Sequence, residues 1–191
     1  MKTIILASGS PRRKELLEKA GLKFRTVKSR FKEYLDPKAD PHELTRKLSL
    51  KKALVVSKEI KNTIIIAADT IVVINGKILG KPKSKGNAMK MLMLLSGKKH
   101  SVITAFTIID NTLNKIITRS METKICMRKI NINEIKSYIE TGEPLDKAGA
   151  YAIQERGSIF IKKIDGDFFN AVGLPIYNLM EELKKLGVKV L

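Results

Sequence analysis

Cysteine is nearly missing from this chain. Cys126 stands alone, so no intrachain disulfide can form and a reducing compartment is expected. Its apolar neighbours Ile125 and Met127 suggest a buried, inert thiol rather than a nucleophile. Tryptophan is absent and aromatic residues make up 5% of the chain, which leaves little of the stacking surface that single-stranded nucleic acids use. With only His42 and His100 available, a histidine metal cluster is not expected. No apolar run approaches a membrane span, and the first one, Thr3 to Ala7, is too short for a secretory signal. A soluble, cytoplasmic protein is therefore expected. Without repeats, low-complexity tracts or Gly/Ser linkers, residues 1–191 are expected to form one domain, with room for two lobes.

Acidic side chains are also scarce. Against 37 Lys and Arg there are 19 Asp and Glu, a formal charge of +18. Such a balance calls for an anionic partner: nucleic acid, a nucleotide or an acidic membrane. The lysines, however, are scattered rather than blocked. A solvated lysine-rich surface accounts for them more simply than a dedicated nucleic-acid face.

What is present starts with Ser8-Gly9-Ser10-Pro11-Arg12-Arg13. It follows the apolar run Thr3 to Ala7, which reads as a buried strand. Ser10 suits a helix N-cap and Pro11 the first helical position. Leu16, Leu17 and Ala20 give an inward face, and Gly21 ends the helix. Strand, turn and helix N-terminus together aim backbone N–H groups at one point, where an anion fits. Arg12 and Arg13 in the first turn oppose the helix dipole, so a negative group such as a phosphate chain would compensate them. An ordinary capped helix carrying two solvated arginines is the alternative.

Further along, Phe24 to Val27 is a short strand candidate, residues 28 to 40 are irregular, and Pro41 to Lys58 has helical spacing. Ile64 to Ala68 reads as a strand buried on both faces, ending at Asp69-Thr70. A carboxylate there is costly unless it is paired, solvated or metal-bound, which makes Asp69 the leading candidate for chemistry. The strand pattern resumes over Ile71 to Ile74, and Asn75-Gly76 is a hairpin turn that returns Lys81 towards Asp69. Ser84 to Leu95 is expected as a helix with a core stripe of Met89, Leu92, Met93 and Leu95. His100 to Ile109 and Lys115 to Met127 form a second hairpin, followed by a helix over Asn131 to Thr141. Gly142 to Gln154 is rich in small residues and permits close approach of backbone to a ligand. A strand over Ile159 to Ile164 and a last helix opened by Pro175 complete the chain.

The segments SGSPRRKELL, AADT, LGKP, SGKKHSVITAF, EPLDKAGAYAIQ and KIDGDFFNAVGLP, in this order and over nearly the whole chain, resemble the Maf family of nucleoside triphosphate pyrophosphatases. The resemblance implies an α/β fold of the Maf/ITPase kind. In it an elongated, distorted mixed sheet is flanked by helices, with two lobes around a nucleotide cleft. It implies hydrolysis between the α and β phosphates, giving a monophosphate and pyrophosphate and clearing unwanted or non-standard nucleotides. A divalent cation, magnesium or manganese, is implied as cofactor. The family is often dimeric, and some members are linked to division arrest.

Carried over by resemblance, Asp69 is the catalytic carboxylate that accepts a proton from the attacking water. Ser8, Arg12, Arg13, Lys52 and Lys81 bind the substrate, and Glu33 joins Asp69 near the metal. Arg12, Thr70 and Gln154 match the specificity positions of the branch that favours dTTP and UTP. A Gln amide both donates and accepts, so it can pair with the N–H and a carbonyl of uracil or thymine. Arg12 only donates and opposes cytosine's amino group. Turnover of 7-methyl-GTP or another modified nucleotide on the same fold is the nearer alternative, and a basic nucleic-acid-binding protein the more distant one.

Overall fold

A computed structural model describes residues 2–190. The chain begins with β1 (Thr3–Leu6), whose three isoleucine and leucine side chains are buried. Helix α1 (Pro11–Lys19) follows, with Ser10 as its N-cap and Pro11 in its first turn. Gly21, at φ +75°, closes it in the left-handed conformation that glycine adopts without strain. Strand β2 (Arg25–Thr26) is short, and α2 (Pro41–Glu59) is capped by Asp40, which accepts from Glu43 N.

Strand β3 (Thr63–Ile74) is long and almost wholly buried. Its first residues pair in parallel with β1, from Thr3↔Thr63 to Leu6↔Ile66. Its last pair antiparallel with β4 (Lys77–Leu79), from Val72↔Leu79 to Ile74↔Lys77. The Asn75-Gly76 turn between them has φ +48° and +72°, the two positive angles of the tight hairpin turn expected from the sequence. Asp69 therefore does not end a strand, as the sequence suggested. It lies inside one, past the last β1 partner and ahead of the β4 pairing. The ladder continues because β5 (Lys99–Asp110) neighbours β3 on its other side.

Helix α3 (Lys85–Leu95) precedes β5, and β6 (Lys115–Met127) follows it. Helix α4 (Ile132–Glu140) carries a capping box between Asn131 and Glu134. Two short 3-10 turns, Glu143–Asp146 and Ala148–Ala150, then a third over Arg156–Phe160, lead to β7 (Ile161–Asp165). Helices α5 (Phe168–Val172) and α6 (Ile176–Lys185) end the chain. The sheet order is β2-β1-β3-β5-β6-β7, with β4 on β3.

The chain forms two compact units. The first runs to Asp69 and also takes Thr104–Met121 and Gly173 onward. The second holds Thr70–Ile103 and Glu122–Val172. In the first, Ile5, Ala7, Ile65, Ala67 and Ile109 pack with Ala53 and Val56 of α2. In the second, α3 packs on α4. The buried stripe of α3 is Ala88, Leu92 and Leu95, one helical face, whereas Met93 is 55% exposed and leaves the expected stripe. Cys126 is half-buried, because strand alternation buries Ile125 and Met127 on the opposite face. The strand expected from Ile159 starts at Ile161, since the 3-10 turn takes up Ile159 and Phe160.

Candidate active site

In the first unit, the turn after β1 places Ser8, buried, at the mouth of α1. Its Oγ accepts from Ser10 N at 3.1 Å and from Arg13 Nη1 at 3.4 Å. Arg13 Nε donates to the Gly173 carbonyl at 2.8 Å. The arginine is thus held at both ends of its head group and is half-buried, not a solvated surface residue. Arg12 beside it is half-buried too.

Lys52 projects from the middle of α2, and its ammonium donates to Asp69 Oδ1. The same nitrogen stands 2.7 Å from Glu33 Oε1. One lysine therefore gathers the strand carboxylate and the carboxylate of the irregular 28–40 segment. Asp69 is 3% exposed, whereas the Glu33 side chain keeps 45% of its surface.

Burial raises the Asp69 carboxyl above its ordinary value, and Glu33 adds to this. Lys52, by charge and hydrogen bond, and Arg13 pull the other way. Burial lowers Arg13, against the attraction of Asp69 and Glu33. A carboxylate made more basic, bonded to Lys52 and in the field of Arg13, is suited to taking a proton beside an anionic substrate. Two hard oxygen donors meeting at one cation also fit a divalent ion that draws its remaining ligands from phosphate. Among the described residues, no group of three or more His, Cys, Asp and Glu is placed to hold a metal by itself.

Ser8, Arg13, Glu33, Lys52 and Asp69 are thus brought together within the first unit. Thr70 follows Asp69 on β3 and is half-buried. Lys81 lies two residues beyond β4 and is exposed. Gln154, also exposed, lies between the second and third 3-10 turns. His100 is set aside as a base, since it is buried against Tyr151 Oη at 2.7 Å and burial lowers its pKa to about 4. The Gly173 carbonyl was not singled out from the sequence. Its only signal was the resemblance of the segment around it.

A family model described as Maf-like protein matches residues 3–186. A dTTP/UTP pyrophosphatase from Methanosarcina barkeri is 48% identical, over 100% of this chain and 97% of that protein. Proteins of the same name from Bacillus anthracis and Caldicellulosiruptor saccharolyticus are each 45% identical, covering 100% and 98% of this chain and 98% and 96% of their own lengths. Among solved structures, a HAM1 protein from Coxiella burnetii aligns with TM-score 0.55 at 13% identity, over 97% of this chain and all of that one. The Staphylococcus aureus Ham1 protein gives 0.50 at 14%, with the same coverage. These two show a common α/β fold and nothing finer. With its family model running nearly end to end and full-length relatives close to half identical, the chain belongs to the Maf family.

Proposed function

We propose that the protein hydrolyses nucleoside triphosphates to the monophosphate and pyrophosphate, with dTTP and UTP preferred. The observation that carries this is the buried Asp69 joined to Lys52, with Glu33 and Arg13 in its field. The relatives' shared name supports the substrate class.

Ser8, Arg12, Arg13, Lys52 and Lys81 bind the triphosphate, whose charge they offset. Asp69 takes a proton from water as the water oxygen bonds to the α phosphorus. The bond from that phosphorus to the bridging oxygen breaks, and pyrophosphate leaves with the electron pair. Asp69 and Glu33 would hold a magnesium or manganese ion, which offsets charge on the phosphates. Lys52 keeps these two carboxylates together and lowers their mutual repulsion. Gln154 reads the N–H and a carbonyl of the pyrimidine, while Arg12 and Thr70 complete the choice of base.

The test is Asp69→Asn, which keeps the shape and removes the base. Pyrophosphate release from UTP should fall at least about a hundredfold, the scale of general acid–base catalysis, with an unchanged circular dichroism spectrum. Near-normal turnover would remove Asp69 from the mechanism.

A further inference from the structure

The segment Ala152 to Gly157, which presents Gln154, is pinned at both ends by two side chains, Tyr138 near the end of α4 and Glu143 at the start of the 3-10 turn that follows it. Ala152 N donates to Tyr138 Oη at 3.1 Å, and that hydroxyl donates to Glu143 Oε1 at 2.7 Å. Glu143 in turn accepts from Gly157 N at 3.0 Å and from Arg156 N at 3.1 Å. The start and finish of a six-residue loop thus close on one hydroxyl–carboxylate pair.

Closure is tight. A Cβ on Gly157 would stand 2.6 Å from both Tyr138 Oη and the Ala152 carbonyl, so only glycine fits. The tyrosine is buried and packs edge-on to Phe160 at 5.1 Å between ring centres. A third tie comes from Lys147, a buried lysine whose Nζ lies 3.3 Å from Glu155 Oε2 and 2.6 Å from Asp146 Oδ1, and donates to the Glu143 carbonyl at 3.3 Å. Tyr138 and Lys147 are buried and Glu143 is half-buried, and polar groups bonded this completely fix a single backbone path. Inside this frame Gln154 alone, of residues 152 to 154, is exposed.

We infer that Tyr138 and Glu143 are positioning residues for base selection: they hold the loop that sets the Gln154 amide in place. This rests on the assignment of Gln154 to the base. An amide that donates and accepts at once discriminates only if its plane is fixed, because rotation exchanges the two roles. A loosened loop would let the amide turn to suit cytosine.

The experiment compares kcat/KM for UTP and CTP in the full chain and in Tyr138→Phe, Gln154→Ala and the double variant. Tyr138→Phe keeps the ring on Phe160 and removes only the hydroxyl. The UTP-to-CTP ratio should fall about tenfold, less than the hundredfold that a 1 Å misplacement can cost. The loss should appear mainly in KM for UTP. Gln154→Ala should remove the preference, and adding Tyr138→Phe to it should change the ratio no further. Faster hydrogen exchange at the Ala152 and Gly157 amides would report the loosened loop directly. Glu143→Gln, which offers one acceptor oxygen where three donors now converge, should act the same way and serves if Tyr138→Phe does not fold. Equal losses for UTP and CTP in these variants, or effects that multiply with Gln154→Ala, would overturn the positioning role. A preference lost in Gln154→Ala but kept in Tyr138→Phe and Glu143→Gln would overturn the clamp alone. A preference unchanged in Gln154→Ala would overturn the Gln154 assignment and, with it, this proposal.

Discussion

Replacing Lys52 by Met keeps most of the stem's packing and removes the ammonium that joins Asp69 to Glu33. The two pairs differ in consequence. Glu33 keeps 45% of its side-chain surface, and an exposed pair of this kind contributes about 0–1 kcal/mol. The Asp69 side chain is 4% exposed and that of Lys52 11%, so the substitution strands a buried charge, which costs about 3–5 kcal/mol. The total at pH 8 is set by Asp69, at about 3–5 kcal/mol. Asp69 can escape the penalty by taking a proton. Its folded pKa already lies above the ordinary 3.8 through burial, and losing Lys52 moves it further up. A carboxyl with a raised folded pKa is relatively most stable below its unfolded value and loses that stability as pH rises through the folded one. The destabilisation should therefore be greatest at pH 8 and shrink as pH falls through the raised pKa. Urea unfolding of both proteins from pH 5 to pH 8 measures this. The acid limb of kcat/KM should move upward with it. A loss below about 1 kcal/mol at pH 8, the exposed-pair value, or one independent of pH, would refute the buried pair.

Two other outcomes follow. Arg13→Ala removes a guanidinium fixed by Ser8 and Gly173 and should raise KM for triphosphates at least about tenfold, as loss of a charged hydrogen bond of 1.5–3 kcal/mol implies, checked by initial rates across substrate concentration. Asp110→Asn should lower stability at neutral pH and converge with the parent in acid, read as Tm against pH. Burial alone would raise Asp110, but Lys2 at 2.6 Å, the Thr112 hydroxyl and the Thr112 and Leu113 amides outweigh it and lower its pKa. Its contribution is thus present above the unfolded pKa and lost as pH falls through the folded one.

The turn from β1 into α1 was legible in the sequence because it is local. Ser10, Pro11 and Gly21 are chain-adjacent signals, and they fall at the cap, first turn and close of α1. Asp69 was legible as an anomaly, a carboxylate within an apolar run, although its place inside β3 depends on a neighbouring strand that local pattern does not reveal. Lys52 was marked by the resemblance alone, since no periodicity tells which strand a helix covers. Glu33 sits in a segment with no regular structure, so only tertiary folding brings it to Lys52. Tyr138 and Glu143 were not seen at all. Their joint grip on the 152–157 loop exists only once α4 and that loop are folded together, and Gly157 was the sole local trace of it.

The most direct measurement is pyrophosphate released with magnesium from a panel of dTTP, UTP, CTP, GTP and 7-methyl-GTP. Every productive case should give monophosphate plus pyrophosphate, with UTP and dTTP both accepted and both faster than the other three, because the thymine methyl is worth only about 1–3 kcal/mol in a fitted pocket. Release of inorganic phosphate without pyrophosphate would contradict cleavage at the α phosphorus, and a panel led by 7-methyl-GTP would contradict the pyrimidine assignment.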